Sequence, residues 1–283
     1  MLSFWAPGAE RPCRMKSIFE SLSDLEKRGD TAALCTIVRE RGSVPRHAGS
    51  RMLVHPDGHI EGSIGGGEME SRVIRDALAA LAEGAGRIVS YSLVDPKSGD
   101  PGVCGGEVEI FVEPIKPLPT LLIIGGGHVG KALVHLGKWL GFRVALCDDR
   151  PDYCTPQWAP GADVYLPVPV SQLPSQFKFN DQTYIVMPTR GMGLDVDALP
   201  QLLDLPHAYL GVIGSRRRWV TARKQLEDGG IAKDKLAAVH APMGLELNAE
   251  TPEQIALSIM AEIVMLQRGG DGKPMMLTTK GEA

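Results

Sequence analysis

Three glycines, Gly125, Gly127 and Gly130, do most to constrain the fold of this 283-residue chain. They directly follow an apolar, strand-like run at 121–125 and directly precede a segment with helical apolar spacing at 128–140. A strand, a glycine-rich turn and a helix in this order are typical of the phosphate-binding turn of dinucleotide-binding domains. The pattern predicts a Rossmann-like domain whose helix N-terminus offers free N–H groups to an anion. The alternative is that the glycines serve only the packing of the helix on the strand.

Charged residues follow the next predicted strand, at 142–148. Asp148 lies 23 residues after Gly125, close to the ~20-residue separation at which an acid binds a ribose hydroxyl. Arg150, beside it, is an alternative contact for a ribose phosphate. His128 lies between the glycines, where it faces either the ligand or solvent.

Two more turns follow predicted strands of the same sheet, at 183–188 and 208–214. The carboxyl ends of parallel strands share the edge at which ligands bind, so we expect these turns to contribute to one site. Ser215 is predicted to cap the following helix, and cations in its first turn oppose the helix dipole, which favours an anion contact for at least one arginine. The alternative is a solvated basic turn paired with Asp or Glu. The candidate residues are Thr189, Arg190, Gly214, Ser215, Arg216 and Arg217.

Glycine-rich loops also mark the N-terminal part of the chain, at 40–52, 62–71 and 95–106. Gly65, Gly66 and Gly67 directly precede a predicted helix, 68–83, and form a second candidate anion-binding turn.

Five cysteines without any CxxC spacing indicate neither a disulfide framework nor a zinc site. Cys104, directly before Gly105 and Gly106, lies on a glycine-rich loop, where nearby N–H groups lower a thiol pKa. We expect it either to contact a ligand or to be an inert thiol. Cys35 and Cys147 lie within predicted strands and are expected to be buried.

Secondary-structure patterns change at the proline-containing segment 115–120, which predicts a linker between a domain at 1–118 and another at 119–283. The first combines two helices with short strands, including a hairpin at 51–64 around a Pro-Asp-Gly turn, and is predicted to be α+β. The second alternates apolar strands with amphipathic helices, which is typical of a parallel sheet covered on both faces. The predicted fold class is α/β.

Charge and apolar run lengths exclude some functions. Thirty Lys+Arg against 34 Asp+Glu give a formal net charge of −4, which argues against nucleic-acid binding. No run approaches the ~20 apolar residues of a transmembrane helix, so we expect no membrane span and a cytoplasmic protein.

Taken in order, several of these segments resemble the XdhC/CoxI family of accessory proteins for molybdenum hydroxylases. The resemblance covers about 16–270, and its most specific parts are IGSRRR and the closing stretch. The segments are GSVPRHAGSRMLV, GSIGGGEMES, VCGGEVEIFVEP, LLIIGGGHVGKAL, CDDRPDY, LGVIGSRRR and HAPMGLELNAETPEQIALSIMAEIV.

That resemblance implies a small N-terminal domain, a C-terminal Rossmann domain and binding of the molybdenum cofactor, as molybdopterin or its dinucleotide form. The family delivers this cofactor to xanthine dehydrogenase-type apoenzymes and takes part in its sulfuration, which leaves a cysteine desulfurase open as a second partner. We expect a homodimer that performs no turnover of its own. We expect the Rossmann turn to hold the phosphate end of the cofactor and the first-domain loops, with Cys104 as a molybdenum contact, to cover the pterin end. Glu68 stands where many relatives have cysteine, which weakens any two-thiol site.

An NAD(P)-dependent oxidoreductase remains the alternative, because it would use the same glycine fingerprint. The sequence offers that alternative neither a Tyr-x-x-x-Lys pair nor an evident His–carboxylate pair. A third interpretation is a pure interaction protein with a vestigial nucleotide pocket.

Overall fold

A computed structural model describes residues 16–93 and 105–276 of the chain. The chain divides into two compact units, Met1–Pro117 and Leu118–Ala283. Each is described by itself.

The first unit is an antiparallel five-stranded sheet with two helices, and its strand order is β3-β2-β1-β5-β4. The elements are α1 (Ile18–Arg28), β1 (Ala32–Arg41), β2 (Arg51–Val54), β3 (Ile60–Gly62), α2 (Gly67–Glu83), β4 (Arg87–Ser92) and β5 (Glu107–Ile115). The hairpin predicted at 51–64 is confirmed as β2 and β3. Helix α2, predicted at 68–83, buries Met69, Val73, Ala77 and Ala80 against the sheet.

A parallel five-stranded sheet forms the second unit, in the order β10-β9-β6-β7-β8. Its strands are β6 (Thr120–Ile124), β7 (Arg143–Cys147), β8 (Val164–Leu166), β9 (Thr183–Met187) and β10 (Tyr209–Val212). Its helices are α3 (His128–Trp139), α4 (Leu173–Gln176), α5 (Met192–Leu202), α6 (Arg216–Asp228), α7 (Lys233–Ala237) and α8 (Pro252–Arg268).

Helices cover both faces of this sheet, as the sequence predicts. Alternate residues of β6 enter opposite cores: Leu121 and Ile123 pack with α3 and α8, whereas Leu122 and Ile124 pack with α5, α6 and α7. Every residue of β6 and β9 is buried. The predicted Rossmann-like α/β fold is therefore confirmed, and β6, which carries the glycine-rich turn, lies at the centre of the sheet.

Element bounds agree with the predicted strand–turn–helix at 121–140. The apolar spacing of the sequence also predicts a helix near 195–203, and α5 begins three residues earlier, at Met192. The two short helices α4 and α7 have no counterpart in the prediction. Within 16–93 and 105–276, no helix has both the length and the apolar character needed to cross a membrane.

Candidate functional site

The first two N–H groups of the glycine-rich turn between β6 and α3 donate hydrogen bonds to other residues of the protein. Gly125, with φ +124°, donates to the carbonyl of Cys147 at 2.8 Å, and Gly126 donates to Oδ2 of Asp148 at 2.7 Å. A Cβ on Gly127 would have no heavy atom within 4 Å, and one on Gly130 would overlap the carbonyl oxygen of Gly125. Gly130 thus serves close helix–strand packing, and Gly127 leaves open space at the N-cap of α3, as the fingerprint requires.

Asp148, the predicted ribose contact, is buried and paired with Arg150. The guanidinium donates from Nε to Oδ1 at 2.9 Å and from Nη2 to Oδ2 at 3.0 Å, and the Arg150 N–H also donates to Oδ1. With the bond from Gly126, each carboxylate oxygen accepts two protein hydrogen bonds. A ribose hydroxyl would have to displace one of these donors, so the geometry gives Asp148 a structural part in fixing the turn. Its contact with a ribose stays a prediction.

Arg190 and Asp149 form a second bidentate pair across the carboxyl end of the sheet. Nη1 and Nη2 of Arg190 lie 2.7 and 2.9 Å from the two oxygens of Asp149. The pair joins the turns after β9 and β7, the two neighbours of β6. These hydrogen bonds lower the pKa of Asp149 to about 2. The stabilisation by this pair is therefore present above about pH 4, where the unfolded carboxyl is ionised, and is lost as the pH falls towards 2.

Beside these pairs lies a cavity of about 280 Å³ at the carboxyl ends of β6, β7, β8 and β9. It is lined by Gly125, Gly127, Cys147, Asp148, Asp149, Arg150, Thr189 and Arg190 and, on its other walls, by Ile124, Val168, Pro169, Val170, Ser171, Pro188, Leu194, Asp197, Ala198 and Gln201. Cys147 is buried, as predicted, and burial raises the pKa of its thiol to about 12, so it is no thiolate at neutral pH. The cavity brings six of the predicted ligand contacts together: Gly125, Gly127, Asp148, Arg150, Thr189 and Arg190.

Thr189 and the arginine turn build an internal ion pair in the same region. Arg218 donates from Nη2 to the Thr189 hydroxyl at 2.9 Å and from Nε to Oδ2 of Asp195 at 3.1 Å. The Thr189 hydroxyl in turn donates to Asp195, which is fully buried. Burial raises the pKa of Asp195, and the hydrogen bonds from Thr189 and Arg218 oppose that rise. One arginine of this turn thus pairs with an acid of the protein, which was the alternative left open by the sequence.

Ser215 caps α6, as predicted, by accepting from the Arg218 N–H at 3.2 Å. Arg216 and Arg217 are exposed, and neither forms an ion pair with any described residue. Neither they nor Gly214 and Ser215 line the cavity; their contact with a ligand stays a prediction.

One cation and two aromatic side chains lie together beside the glycine-rich turn. Trp158 donates from its indole N–H to the carbonyl of Gly126. Its ring meets the ring of His128 edge-on at 5.8 Å and lies 4.8 Å from Nζ of Lys131. His128 is exposed to solvent against Trp158 and is absent from the lining of the cavity.

In the first unit, a carboxylate of the protein occupies the predicted anion-binding turn. Gly65, Gly66 and Gly67 all have positive φ, between +68° and +135°. Oε2 of Glu70 accepts from the N–H groups of Ile64 and Gly66, each at 3.2 Å. The Ser63 hydroxyl donates to the same oxygen at 2.8 Å. Glu68 is exposed and pairs with Arg72 and Arg75. The N–H groups of Ile64 and Gly66 thus donate to Glu70 of the protein itself. Cofactor contacts of Gly65–Gly67 and Glu68 stay predictions.

Parts of all three glycine-rich loops meet in this unit. A Cβ on Gly42 would lie 3.0 Å from the carbonyl oxygen of Gly105, and one on Gly65 would lie 2.7 Å from Pro45. Leu93 exchanges two 2.8 Å backbone hydrogen bonds with Gly105 and Gly106. Cys104, the predicted molybdenum contact, lies outside the described residues. Cys35 is buried, as predicted.

A polar cluster that the sequence did not single out lies at the edge of the second sheet. Glu262 of α8 accepts from the Tyr209 hydroxyl and the Gly244 N–H, each at 2.6 Å, and lies 2.9 Å from Nδ1 of His240. Burial acts to raise the pKa of Glu262, but these hydrogen bonds hold it below its ordinary value. The cluster joins the HAPMG segment to α8 and β10. Among the residues of 16–93 and 105–276, no group of three His, Cys, Asp or Glu side chains could hold a metal ion.

Comparison with models of known protein families shows which family this chain belongs to. The profile described as the XdhC Rossmann domain matches residues 121–263, and the profile of the XdhC and CoxI family matches residues 25–92. The chain belongs to the XdhC and CoxI family. The resemblance drawn from the sequence is thereby confirmed. In this member of the family, the XdhC Rossmann match contains the cavity, the three arginine–aspartate pairs and the Tyr209–Glu262 cluster.

Several curated proteins are similar to this XdhC-family chain. YqeB of Escherichia coli K12 is 33% identical over 92% of this chain and 48% of its own length. A Bacillus subtilis 168 protein, named as a probable subunit of xanthine dehydrogenase, is 32% identical over 56% of this chain and 46% of its own length. The chain thus spans about half the length of these two relatives. The molybdenum cofactor insertion chaperone PaoD of Escherichia coli K12 is 22% identical over 84% of both chains.

Among solved structures, a chain described as a xanthine dehydrogenase from Bacillus halodurans aligns with 90% of this chain and 96% of its own. The TM-score is 0.49 and the sequence identity is 21%.

Proposed function

We propose that this XdhC-family chain binds the molybdenum cofactor, protects it, supports its sulfuration and passes it to a xanthine dehydrogenase-type molybdenum hydroxylase. The names of two relatives support this proposal. One is named a molybdenum cofactor insertion chaperone and the other a probable subunit of xanthine dehydrogenase. The cofactor is cargo here, to be held and released. A holding site needs backbone donors and cations for its phosphate end and needs no catalytic group.

The observation that carries the proposal is the cavity at the carboxyl edge of the parallel sheet. Open space at Gly127, at the N-terminus of α3, suits the approach of a phosphate to the backbone. Arg150 and Arg190 line the same cavity and are held in place by carboxylates. Guanidinium groups bind phosphate through paired hydrogen bonds, so this rim fits the phosphate end of the cofactor.

The alternative oxidoreductase receives less support from this geometry. A dinucleotide-binding dehydrogenase uses the acid after the second strand to bind a ribose hydroxyl. Here that acid is Asp148, whose oxygens already accept hydrogen bonds from Gly126 and Arg150. The thiol of Cys147, which also lines the cavity, is held protonated by burial and offers no general base.

Bound pterin is the direct test. The full chain, purified without oxygen from a host that makes molybdopterin, should release a fluorescent pterin after acid oxidation, in amounts approaching one per chain. The same chain from a host lacking molybdopterin synthesis should release none, and adding the loaded protein to an apo-hydroxylase should restore its activity. Release of nicotinamide in place of pterin would favour the oxidoreductase. Release of neither would overturn the proposal.

The predicted thiol contact is tested by replacing Cys104 with serine. A thiolate is a soft metal ligand and a serine hydroxyl is not. We therefore expect the Cys104→Ser chain to fold and to be as stable as the parent chain. It should retain about tenfold less pterin, a loss of about 1.4 kcal/mol of binding free energy. Cys13→Ser, which removes a thiol outside the family resemblance at about 16–270, is the matched control and should retain as much pterin as the parent chain. Equal retention by both variants would remove the thiol from the site.

A further inference from the structure

Helix α6 turns one side to the core of the second unit and the opposite side to solvent. Ala222 and Leu226 are buried on the inner side. Arg217, Val220 and Lys224 follow one another at intervals of three and four residues, so they share one side of the helix, and all three are exposed. Two cations therefore flank an apolar side chain that is 67% exposed.

Arg216 adds a third cation, and we call Arg216, Arg217, Val220 and Lys224 the basic face of α6. None of its three cations forms an ion pair with any described residue. Arg218, by contrast, pairs with a buried acid of the fold. Arg216 and Arg217 also lie in the first helical turn, where a cation opposes the helix dipole. An anionic partner outside the chain would offset that unfavourable placement.

The spacing of the basic face favours a protein surface over a small anion. Arg217 and Lys224 are seven residues apart, about 10 Å along the helix axis, which is farther than one phosphate group reaches. Val220 lies between them, and an apolar centre with a polar rim is typical of protein interfaces, where arginine is enriched. None of these residues lines the cavity of the second unit. The complementary surface is an apolar patch bordered by Asp and Glu.

A second copy of the chain is a poor partner for this face. A two-fold contact would pair α6 with itself and place like charges opposite one another, which is costly. The three cations contribute +3 to a formal net charge of −4, so the rest of the chain carries −7. A head-to-tail contact between the basic face and those acids would build rings or filaments, not a closed dimer. The charges therefore favour a different, acidic protein.

Resting on the proposed function, we infer that the basic face of α6 docks an acidic, partly apolar surface of the protein that receives the cofactor. Charges at the rim of such a contact speed the encounter of the two proteins. The cofactor itself is held elsewhere, at the cavity. Docking and cofactor retention should therefore depend on different residues.

Binding of an apo-hydroxylase measures this contact directly. The full chain and a xanthine dehydrogenase-type apo-hydroxylase are purified from a host lacking molybdopterin synthesis, and surface plasmon resonance records their association. The association rate constant should fall about tenfold as NaCl rises from about 0.05 to about 0.5 M, because salt screens the charges. Association that is indifferent to salt, or no binding at micromolar concentration, would overturn the inference.

Substitutions on α6 assign the contact to the basic face. Lys224→Glu, at an exposed position outside the cavity, should slow association about tenfold at low salt and weaken its salt dependence. Lys27→Glu, the same change of charge at an exposed position of α1, is the matched control and should bind as the parent chain does. Val220→Ser removes the apolar centre without changing the charge, so it should speed dissociation and keep the salt dependence. Equal association by Lys224→Glu and Lys27→Glu would contradict the assignment.

Pterin retention separates docking from cofactor binding. Lys224→Glu from the molybdopterin-producing host should retain as much pterin as the parent chain but restore the activity of the apo-hydroxylase more slowly. A chain that releases no pterin but docks through Lys224 would refute the proposed function and leave the docking surface standing. Loss of pterin from Arg217→Glu, with unchanged docking, would assign that arginine to the cofactor and overturn the inference.

Nucleic acid is the other large polyanion that a basic helix face could bind. The net charge of −4 argues against it, and duplex DNA should not bind the parent chain at physiological salt. DNA binding that Lys224→Glu abolishes would assign the basic face to nucleic acid and overturn the docking inference.

Discussion

Replacing Arg218 with methionine should lower the free energy of unfolding by about 3–5 kcal/mol, because it leaves the carboxylate of Asp195 buried without its cation. Asp195 is 1% exposed, and Arg218 contacts both it and Thr189. Arg217→Met is the matched control. Its side chain is exposed without an ion pair to any described residue, and it lies where a cation opposes the dipole of α6. That control should shift the unfolding free energy by no more than about 0.5 kcal/mol.

Urea denaturation of both variants measures this difference. Adding Asp195→Asn to Arg218→Met should recover part of the loss, because the buried charge is then removed. Lowering the pH should also reduce the loss. Burial raises the pKa of Asp195 in the folded chain, so the folded state binds the proton more tightly than the unfolded state and gains stability as the pH falls. An Arg218→Met variant as stable as Arg217→Met would show that the pair contributes little.

Local sequence was sufficient to predict the strand–turn–helix formed by β6, the glycine-rich turn and α3. The strand and helix that flank Gly125–Gly130 are determined by residues adjacent in the chain. The need for glycine at Gly130 is also local, because a Cβ there would overlap the carbonyl oxygen of Gly125. The hairpin at 51–64 was predictable for the same reason, since the Pro-Asp-Gly turn and its two strands are contiguous. Neither prediction required knowledge of which strands are neighbours.

Pairing between distant charges was not predictable from the sequence. Arg218 meets Asp195 because α5 and α6 pack together, and Arg190 meets Asp149 because β9 and β7 both flank β6. The contacts of Glu70 could not be predicted either, although its partners lie close to it in the sequence. The sequence showed amides ready for an anion at Gly65–Gly67 but not that a carboxylate one helical turn further on would bind them. The strand order and helix packing decide such pairs, and they follow from the whole fold.

The part of the cavity lining that comes from α5 was also missed. Asp197 and Gln201 lie on α5, which begins at Met192, three residues before the predicted start, and nothing in their spacing distinguishes them from ordinary solvent-facing residues. Only the position of α5 beside the carboxyl ends of β6 and β9 brings them to the cavity, where both stay exposed.

Adding one methyl group at Gly127 should weaken the proposed cofactor binding while leaving the fold intact. Gly127 has an ordinary φ of −62°, and a Cβ there would meet no heavy atom within 4 Å. Alanine is a poorer N-cap than glycine, so Gly127→Ala should lose no more than about 1 kcal/mol of stability. The methyl would stand where a phosphate must approach the backbone, and pterin retention should fall by about ten- to a hundredfold, or about 1.4–2.8 kcal/mol of binding.

Gly191→Ala is the matched control for this change. Gly191 is the N-cap of α5, a Cβ there would also have no heavy atom within 4 Å, and the residue does not line the cavity. It should lose the same small amount of stability and keep its pterin. Gly130→Ala should lower the stability and the pterin retention together. Its Cβ would overlap the carbonyl oxygen of Gly125 and force α3 away from β6. If Gly127→Ala retains pterin as well as Gly191→Ala does, the phosphate end of the cofactor is bound elsewhere and the cavity is not its site.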